Sequence, residues 1–200
     1  MDYKTLYSKS IEEPELFWKE EAQKLAWSTY PEQILKQNEN GYYSWFVDGK
    51  INMSRLALEE NIKAGRGEQF ALIYDSPVTE VVQKITYNQL LEKVSRFAGG
   101  LTSLGLSKGD TAIIYMPMIP EAIVAMLACA RIGVIHSVVF GGFAAPELAI
   151  RIDDAQPDDI ISASYGVEIN RQINYKPLID EAIELTLYKP KNIVIFERPN

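Results

Sequence analysis

Residues 110–153 have the sequence DTAIIYMPMIPEAIVAMLACARIGVIHSVVFGGFAAPELAIRID, in which short apolar runs alternate with helical segments. The runs Thr111–Tyr115 and Val134–Phe140 have the length and the β-branched residues of strands. Glu121–Arg131 is apolar on all sides, as in a buried helix, and Pro146 begins a second helix. Because both strands are continuous apolar runs, they indicate a parallel sheet covered by helices on both faces.

The same alternation continues on either side of this stretch. Upstream, Thr86 and Gln89 have the spacing of a capping box, which starts a helix that stops at Gly105. Downstream follow a strand, a helix and a strand, at Asp159–Ser164, Tyr175–Leu187 and Asn192–Phe196. The sequence therefore predicts an α/β fold, a doubly wound and mostly parallel sheet with helices on both faces.

The chain upstream of this region is less regular. Ser10–Glu13 has the S-x-x-E spacing of a capping box, so we expect a helix that starts near Pro14. The dipeptide Asp48-Gly49 favours a tight turn and predicts a hairpin between Tyr42–Val47 and Lys50–Asn52.

A short helical pattern then runs from Ser54 and is expected to end before Gly65. Together these signals predict a helical and hairpin N-terminal cap segment at residues 1–80. The first part of a regular α/β domain follows at residues 81–200.

The composition is that of an ordinary soluble globular protein, with 47% hydrophobic and 24% charged residues. A net charge of −7 argues against nucleic acid and acidic membrane surfaces as partners. No apolar run approaches the roughly 18 to 20 residues that span a bilayer, and the acidic start is unlike a signal peptide, so we expect an intracellular protein. The single cysteine, Cys129, excludes a disulfide framework or a cysteine-based metal cluster within the chain.

Ligands of open parallel sheets bind beyond the carboxyl ends of the strands. Three segments follow the predicted strands and are candidates on this ground: Met116–Met118, Gly141–Phe143 and Tyr165–Arg171. Gly141 and Gly142 would let the backbone approach a ligand with its N–H groups exposed, although a tight turn alone explains them equally well. Arg171 is predicted to lie in a polar loop within reach of an anion, although a solvated arginine is the commoner case.

The remaining reactive side chains suggest packing. His136 is the only histidine and lies in an apolar strand, and Cys129 lies in an apolar helix. The sequence contains neither a GxxxxGK[ST] phosphate loop nor a GxGxxG after a strand. The residues alone thus indicate an α/β domain with a glycine loop placed to face a ligand.

The strings YMPMIPEA, MLACARIG and HSVVFGGF occur together within residues 110–153. This combination closely resembles the N-terminal domain of the short-chain acyl-CoA synthetases. These are the acetyl- and propionyl-CoA synthetases of the AMP-forming, acyl-adenylate superfamily. The similarity extends back through ITYNQLLEKVSRFAGGL and WFVDGKIN to the helix that begins PELFWKEEA, and so covers essentially the whole chain.

The resemblance implies part of a coenzyme A site. The family's contact at the glycine turn matches Phe140, Gly141 and Gly142 in this sequence. Acetate enzymes typically hold coenzyme A with an Arg-Gly-Gly-Arg string in the next loop. Only the second arginine is present here, as Arg171, and Glu168 stands at the position of the first. Because a glutamate cannot pair with a phosphate, no ligand contact carries over to residue 168.

Within the family, DSPVT at 75–79 and ASYGVE at 163–168 look more like propionyl-CoA synthetases. Such enzymes join a short-chain carboxylate to coenzyme A with MgATP, through an acyl-adenylate. The Pro-Lys-Gly loop that holds the ATP phosphates, the carboxylate pocket and the adenylation lysine would all lie beyond residue 200. ATP and Mg²⁺ would therefore bind outside this chain, which would supply scaffold and one wall of the coenzyme A site without catalysis of its own.

The resemblance implies as partners the small substrates and the remaining C-terminal portion of the same protein, with no nucleic acid or membrane. It implies a cytoplasmic location, or the mitochondrial matrix in a eukaryote, and leaves an oligomer open. Two alternatives remain. One is a free-standing, non-catalytic module derived from the family that binds coenzyme A or a protein. The other is an acyl-adenylating enzyme of another substrate class, which FGGF and MLACARIG together disfavour.

Overall fold

The computed structural model describes residues 2–169 and 171–199. Met1, Asn200 and Asn170, which belongs to the loop predicted before Arg171, lie outside the described residues. The chain divides into two compact units, residues 1–52 and residues 53–200. The division predicted after residue 80 falls in the turn of a hairpin within the second unit, and as an assignment of cap segment and α/β domain it stays a prediction.

The first unit contains two helices and a short hairpin: α1 Tyr3–Glu12, α2 Pro14–Ala22, β1 Leu35–Gln37 and β2 Tyr43–Trp45. The capping box predicted at Ser10–Glu13 is wrong, because the residues upstream of Ser10 are already helical. The carboxylate of Asp2 caps α1 instead and accepts the backbone N–H of Thr5 at 2.9 Å. Pro14 begins α2, as predicted.

The hairpin of this unit has a different partner from the predicted one. Strand β2 pairs with β1, which precedes it, and Lys50 forms an isolated antiparallel bridge with Thr29. The carboxylate of Asp48 accepts the backbone N–H groups of Glu32 and Gln33 at 3.0 and 3.1 Å. These bonds hold the turn at residues 48–49 against the upstream loop, so this turn does not join two paired strands.

The second unit begins with short helical segments and an antiparallel hairpin: α3 Met53–Ala57, α4 Glu59–Asn61, a π-helical turn Ile62–Arg66, β3 Phe70–Ser76 and β4 Val81–Thr86. The helix predicted from Ser54 is thus divided, and its last turn passes through Gly65, which has a φ of 79°. The remaining elements are α5 Tyr87–Ser103, β5 Thr111–Met116, α6 Pro120–Ile132, β6 Ile135–Phe140, α7 Ala145–Ala155, β7 Asp159–Ala163, β8 Tyr165–Glu168, β9 Arg171–Asn174, α8 Tyr175–Leu185 and β10 Asn192–Phe196.

The start of α5 has the predicted capping box. The Thr86 hydroxyl accepts the backbone N–H of Gln89 at 3.3 Å, and the Gln89 side chain accepts the backbone N–H of Thr86 at 2.9 Å. Leu90, Val94 and Leu101 are buried on one face of the helix. Gly105, at φ 102°, turns the chain out of the helix and toward β5.

Four strands form a parallel sheet in the order β10-β7-β5-β6. Successive residues of β5 face opposite sides: Ile114 packs with residues of α5 and α6, and Ile113 packs with residues of α7 and α8. The sheet therefore carries helices on both faces, and the predicted fold class is confirmed. Every residue of β7 is buried.

Strand β6 lies at an edge of the sheet, and this changes its burial. The continuous apolar run Val134–Phe140 suggested a strand buried on both faces. Instead, Ile135, Val138 and Phe140 are each more than half exposed. No helix among the described residues combines the length and the apolar character needed to cross a membrane.

Candidate functional site

The glycine turn follows β6 at the carboxyl edge of the sheet. The backbone N–H of Phe143 donates to the carbonyl of Phe140 at 3.0 Å, so residues 140–143 form a tight turn. The Phe140 ring is 67% exposed and meets the Phe143 ring edge-on, with centroids 5.7 Å apart. Neither glycine of the turn is in the left-handed region of φ. The turn could therefore be made without glycine, and the reason for each glycine lies in its surroundings.

Gly141 is required by close packing. A Cβ built on this buried glycine would lie 2.5 Å from the hydroxyl oxygen of Tyr175 and 2.7 Å from the carbonyl oxygen of Met116. Gly142 is exposed, and a Cβ there would meet the Phe140 ring at 2.5 Å. Because the Phe140 ring is itself exposed, it can rotate away. The backbone at Gly142 is thus the part of the turn that is open to a ligand.

Arg171 lies in a hairpin, so the predicted polar loop is wrong. Residues Tyr165–Glu168 and Arg171–Asn174 pair as β8 and β9, with Glu168 opposite Arg171. The Arg171 guanidinium donates to the Glu168 carboxylate at 2.8 Å, and both side chains are at least half exposed. This bond with Glu168 raises the pKa of Arg171, which stays charged. The cation that the resemblance assigned to a phosphate is therefore already paired with a carboxylate.

The structure adds two tyrosines that sequence patterns did not single out. Tyr115 of β5 is fully buried, and its hydroxyl donates to the carbonyl of Phe143 at 2.5 Å. Tyr175, at the start of α8, is 3% exposed and places its hydroxyl against Gly141. A tyrosine within an apolar run resembles any core aromatic, so only its contacts distinguish it.

The remaining candidate segment, Met116–Met118, contributes mainly backbone. The Met116 carbonyl packs under Gly141, as described above, and the backbone N–H of Ile119 donates to the Pro117 carbonyl at 2.8 Å. Met118 is 82% exposed. The segments after β5 and β6 therefore meet at Gly141, on the edge where parallel α/β sheets bind ligands.

The cysteine and the histidine have surroundings that disfavour chemistry. Burial, followed by the charge of Asp159, raises the pKa of the Cys129 thiol to about 12, so the reactive thiolate is not populated at neutral pH. Burial lowers the pKa of His136, which is half-buried in β6. Within residues 2–169 and 171–199, no three His, Cys, Asp or Glu side chains converge as a metal site would require.

Two family sequence models match the chain. The model described as "AMP-binding enzyme" matches residues 58–196, and the one described as "Acetyl-coenzyme A synthetase N-terminus" matches residues 3–57. The chain therefore belongs to the AMP-binding enzyme family. Within that family it is an N-terminal portion of the AMP-forming acyl-CoA synthetases, as the resemblance predicted.

Relatives of known name support this assignment. The chain is 46% identical to the mitochondrial acyl-CoA synthetase short-chain family member 3 of Bos taurus, with 100% of this chain and 29% of the relative covered. It is 41% identical to the propionate–CoA ligase of Escherichia coli, with 99% and 31% covered. It is also 52% identical to PA3568 of Pseudomonas aeruginosa, a protein described as uncharacterised, with 100% and 32% covered. The chain thus spans about a third of the length of these relatives.

A solved structure has the same fold. The acetoacetyl-CoA synthetase from Streptomyces lividans superposes with a TM-score of 0.83 at 22% sequence identity, over 98% of this chain and 32% of that one. This similarity concerns the backbone arrangement.

Proposed function

We propose that the intact protein joins a short carboxylic acid, propionate in preference to acetate, to coenzyme A. MgATP and the acid would form acyl-adenylate and pyrophosphate, and the coenzyme A thiolate would then displace AMP. The names of two relatives, a propionate–CoA ligase and an acyl-CoA synthetase short-chain family member 3, support the substrate class. Mg²⁺ and ATP would bind to parts of the protein outside this chain, where the metal would stabilise charge developing at phosphorus.

For this chain we propose one wall of the coenzyme A site, formed by Phe140, Gly141, Gly142 and Arg171. The observation that carries the proposal is the exposed turn at the carboxyl edge of the sheet, with open backbone at Gly142 beside an exposed phenyl ring. An extended ligand with amide and adenine groups can hydrogen-bond to such a backbone and stack on such a ring.

The phosphate end of the ligand fits these residues less simply. Arg171 is the matching cation, and Glu168 holds its guanidinium at 2.8 Å. Because both side chains are exposed, the ion pair is weak and can open when a phosphate approaches. We therefore retain Arg171 as a coenzyme A contact and assign Glu168 the role of a competitor for it.

We also propose that residues 1–80 act as the cap segment of the enzyme and residues 81–200 as the first part of its adenylating domain. The location would be the cytoplasm, or the mitochondrial matrix in a eukaryote. The second location is suggested by the short-chain family member 3 relative, which is named as mitochondrial. Partners would be the short-chain carboxylate, ATP and coenzyme A.

The alternative is a free-standing module that kept the family's fold without its chemistry. The gene distinguishes the two hypotheses, because a stop codon directly after codon 200 supports the module. A frame that continues into a Pro-Lys-Gly loop supports the ligase.

Pyrophosphate exchange tests whether adenylate formation needs the parts of the protein outside this chain. The 200-residue chain should give no exchange with acetate, propionate or butyrate, because the family's ATP-binding loop is not in it, whereas the intact protein should be active with propionate. Exchange by the isolated chain above a no-enzyme control, abolished by a substitution within the chain, would show that this portion adenylates by itself and would overturn the proposal.

A further inference from the structure

Two buried tyrosines lie behind the candidate coenzyme A wall and contact each other. Tyr115 comes from β5 at the centre of the sheet, and Tyr175 is the first residue of α8. Their rings pack edge to face, with centroids 4.9 Å apart and planes at 83°. This geometry is the favourable one for aromatic pairs and fixes both phenols in one orientation.

The hydroxyl of Tyr115 holds the far end of the glycine turn. It donates to the carbonyl of Phe143, the last residue of the turn, at 2.5 Å. The backbone of Tyr115 is anchored in turn, since its carbonyl accepts the hydroxyl of Ser162 in β7 at 2.6 Å. The position of the turn is therefore set by a side chain from a central strand.

The hydroxyl of Tyr175 lies between two glycines from different segments. Built Cβ atoms on Gly141 and Gly166 would lie 2.5 and 2.9 Å from this oxygen. Gly141 belongs to the turn after β6, and Gly166 belongs to β8, the strand that pairs with the strand of Arg171. The Tyr175 hydroxyl thus packs against both segments of the candidate site, the glycine turn and the β8–β9 hairpin.

A phenylalanine at either position would fill nearly the same volume, so the hydroxyls need a separate explanation. Burial raises the pKa of Tyr115 to about 12 and also raises the pKa of Tyr175. Both phenols therefore stay neutral at physiological pH, and Tyr115 keeps the proton that it donates to the Phe143 carbonyl. The Tyr175 hydroxyl instead fills the space that the missing side chains of Gly141 and Gly166 leave.

We propose that Tyr115 and Tyr175 are positioning residues, which hold the glycine turn and the β8–β9 hairpin at the spacing that coenzyme A requires. The inference builds on the proposed function, because it takes the two segments to bind one ligand. The tyrosines act from behind, through Phe143, Gly141 and Gly166, and do not touch the ligand themselves.

The test compares Tyr115→Phe and Tyr175→Phe with Tyr188→Phe in the intact protein. Tyr188 packs against the same apolar cluster but follows the C-terminal end of α8, away from the turn, and serves as the matched control. Steady-state thioester formation gives KM for coenzyme A and kcat, and calorimetry gives the affinity for coenzyme A. Hydrogen exchange reports the protection of residues 138–146 and 165–174.

Tyr115→Phe should raise KM for coenzyme A by about 3- to 10-fold, the effect of one hydrogen bond, with a smaller change in kcat. Tyr175→Phe should change KM and kcat in the same directions, because it removes the oxygen that packs between Gly141 and Gly166. Amide hydrogen exchange should become faster in the glycine turn for Tyr115→Phe, and in both the turn and the β8–β9 hairpin for Tyr175→Phe. Tyr188→Phe should change none of these values.

Three results would overturn the inference. One is an unchanged KM for coenzyme A in both variants, even if their amide hydrogen exchange becomes faster. A second is an equal fall of kcat and coenzyme A affinity in all three variants, which would indicate general loss of stability. The third is a wild-type protein that does not bind coenzyme A, which would also overturn the proposed function. The first two outcomes leave the proposed function intact, so the two failures are distinguishable.

Discussion

The guanidinium Nε of Arg171 lies 2.8 Å from Oε2 of Glu168, across the turn that joins β8 to β9. By the resemblance, Glu168 stands at the position of the first arginine in the Arg-Gly-Gly-Arg string of the acetate enzymes. The substitution therefore removes one cation and also supplies a carboxylate partner for the remaining one. The pair is exposed, so its free energy is small and it can exchange Glu168 for a phosphate oxygen.

The first prediction is that Glu168→Gln in the intact protein lowers KM for coenzyme A. The change frees Arg171 from a competing carboxylate, and the gain is limited to about fivefold because an exposed ion pair is worth at most about 1 kcal/mol. Thioester kinetics at varied coenzyme A measure it. Glu184→Gln, an exposed change on α8, is the control. A higher KM in Glu168→Gln would mean that Glu168 supports the site.

The second prediction is that Arg171→Ala raises KM for coenzyme A. In the Arg171→Ala background, Glu168→Gln should then have no effect on this KM. A charge-assisted contact to phosphate is worth about 1.5 to 3 kcal/mol when desolvated and less when exposed, so we expect the lower end. Thioester formation at low coenzyme A should fall more than pyrophosphate exchange. If the two rates fall together, Arg171 serves folding, and if neither falls it makes no contact.

The third prediction separates the two glycines of the turn. Gly141→Ala should destabilise the fold, because its Cβ would meet the backbone of Met116 as well as Tyr175. Gly142→Ala should fold normally, since the exposed Phe140 ring can rotate, and Gly142→Leu should raise KM for coenzyme A by occupying the open backbone. Thermal unfolding and thioester kinetics check these effects. Equal unfolding temperatures for Gly141→Ala and Gly142→Ala would contradict the assignment.

The fourth prediction is that the isolated 200-residue chain self-associates. Among the described residues no strand pairs with the outer edge of β6, where Ile135, Val138 and Phe140 are exposed. At the opposite edge, beside β10, an apolar groove of about 470 Å³ is lined in part by Val194 and Phe196. Light scattering over a concentration series should show association.

Val138→Lys should reduce this association, because a lysine on an edge strand opposes strand pairing. Val82→Lys, an equally exposed valine on the β3–β4 hairpin, is the control. A strictly monomeric wild-type chain at high concentration, with no binding of a hydrophobic dye, is the result that would count against this prediction.

The fifth prediction concerns Asp159, which is fully buried and has one carboxylate oxygen without a hydrogen-bond partner. Burial raises the pKa of Asp159 above 3.8, although a hydrogen bond from Asn192 opposes the shift. The native state thus binds this proton more tightly than the unfolded state. Stability therefore falls as the pH rises from about 3.8 through the raised pKa, and the loss persists at neutral pH.

Asp159→Asn should accordingly increase the free energy of unfolding at neutral pH by about 1 to 2 kcal/mol, the penalty of an unsatisfied buried group. Asp158→Asn should have the opposite sign, because bonds from Lys191 and from the backbone N–H of Thr111 lower the pKa of Asp158. Urea unfolding between pH 4 and pH 8 measures both. Destabilisation by Asp159→Asn at neutral pH would show that the charged form is the favoured one.

The order and type of the main α/β elements follow from the sequence. The apolar runs at residues 111–115 and 192–196 are strands because β-branched residues without polar alternation suit a sheet covered on both faces. The capping box at Thr86 determines the start of α5 through contacts three residues apart. Such signals are local, so they can be recognised without the fold.

Sequence patterns failed where residues outside the recognised pattern decide the structure. Ser10 has a capping spacing, but the helix upstream of it already satisfies the backbone there. The turn at Asp48-Gly49 is held by the backbone of residues 32–33, and so joins no strands of its own. Arg171 lies in a hairpin because β8 and β9 pair, and no alternating apolar pattern predicted these two strands.

By itself, the sequence determined the fold class, the family and the glycine turn at Phe140–Gly142, because each depends on residue types in a fixed local order. The tertiary structure alone decided why Gly141 must be glycine, that Glu168 pairs with Arg171, and that the hydroxyls of Tyr115 and Tyr175 contact the turn. These relationships depend on close contacts between different elements, such as the 2.5 Å bond from Tyr115 to Phe143 and the 2.8 Å bond from Arg171 to Glu168. Such distances arise only when the sheet and its crossovers bring the carboxyl ends of the strands together.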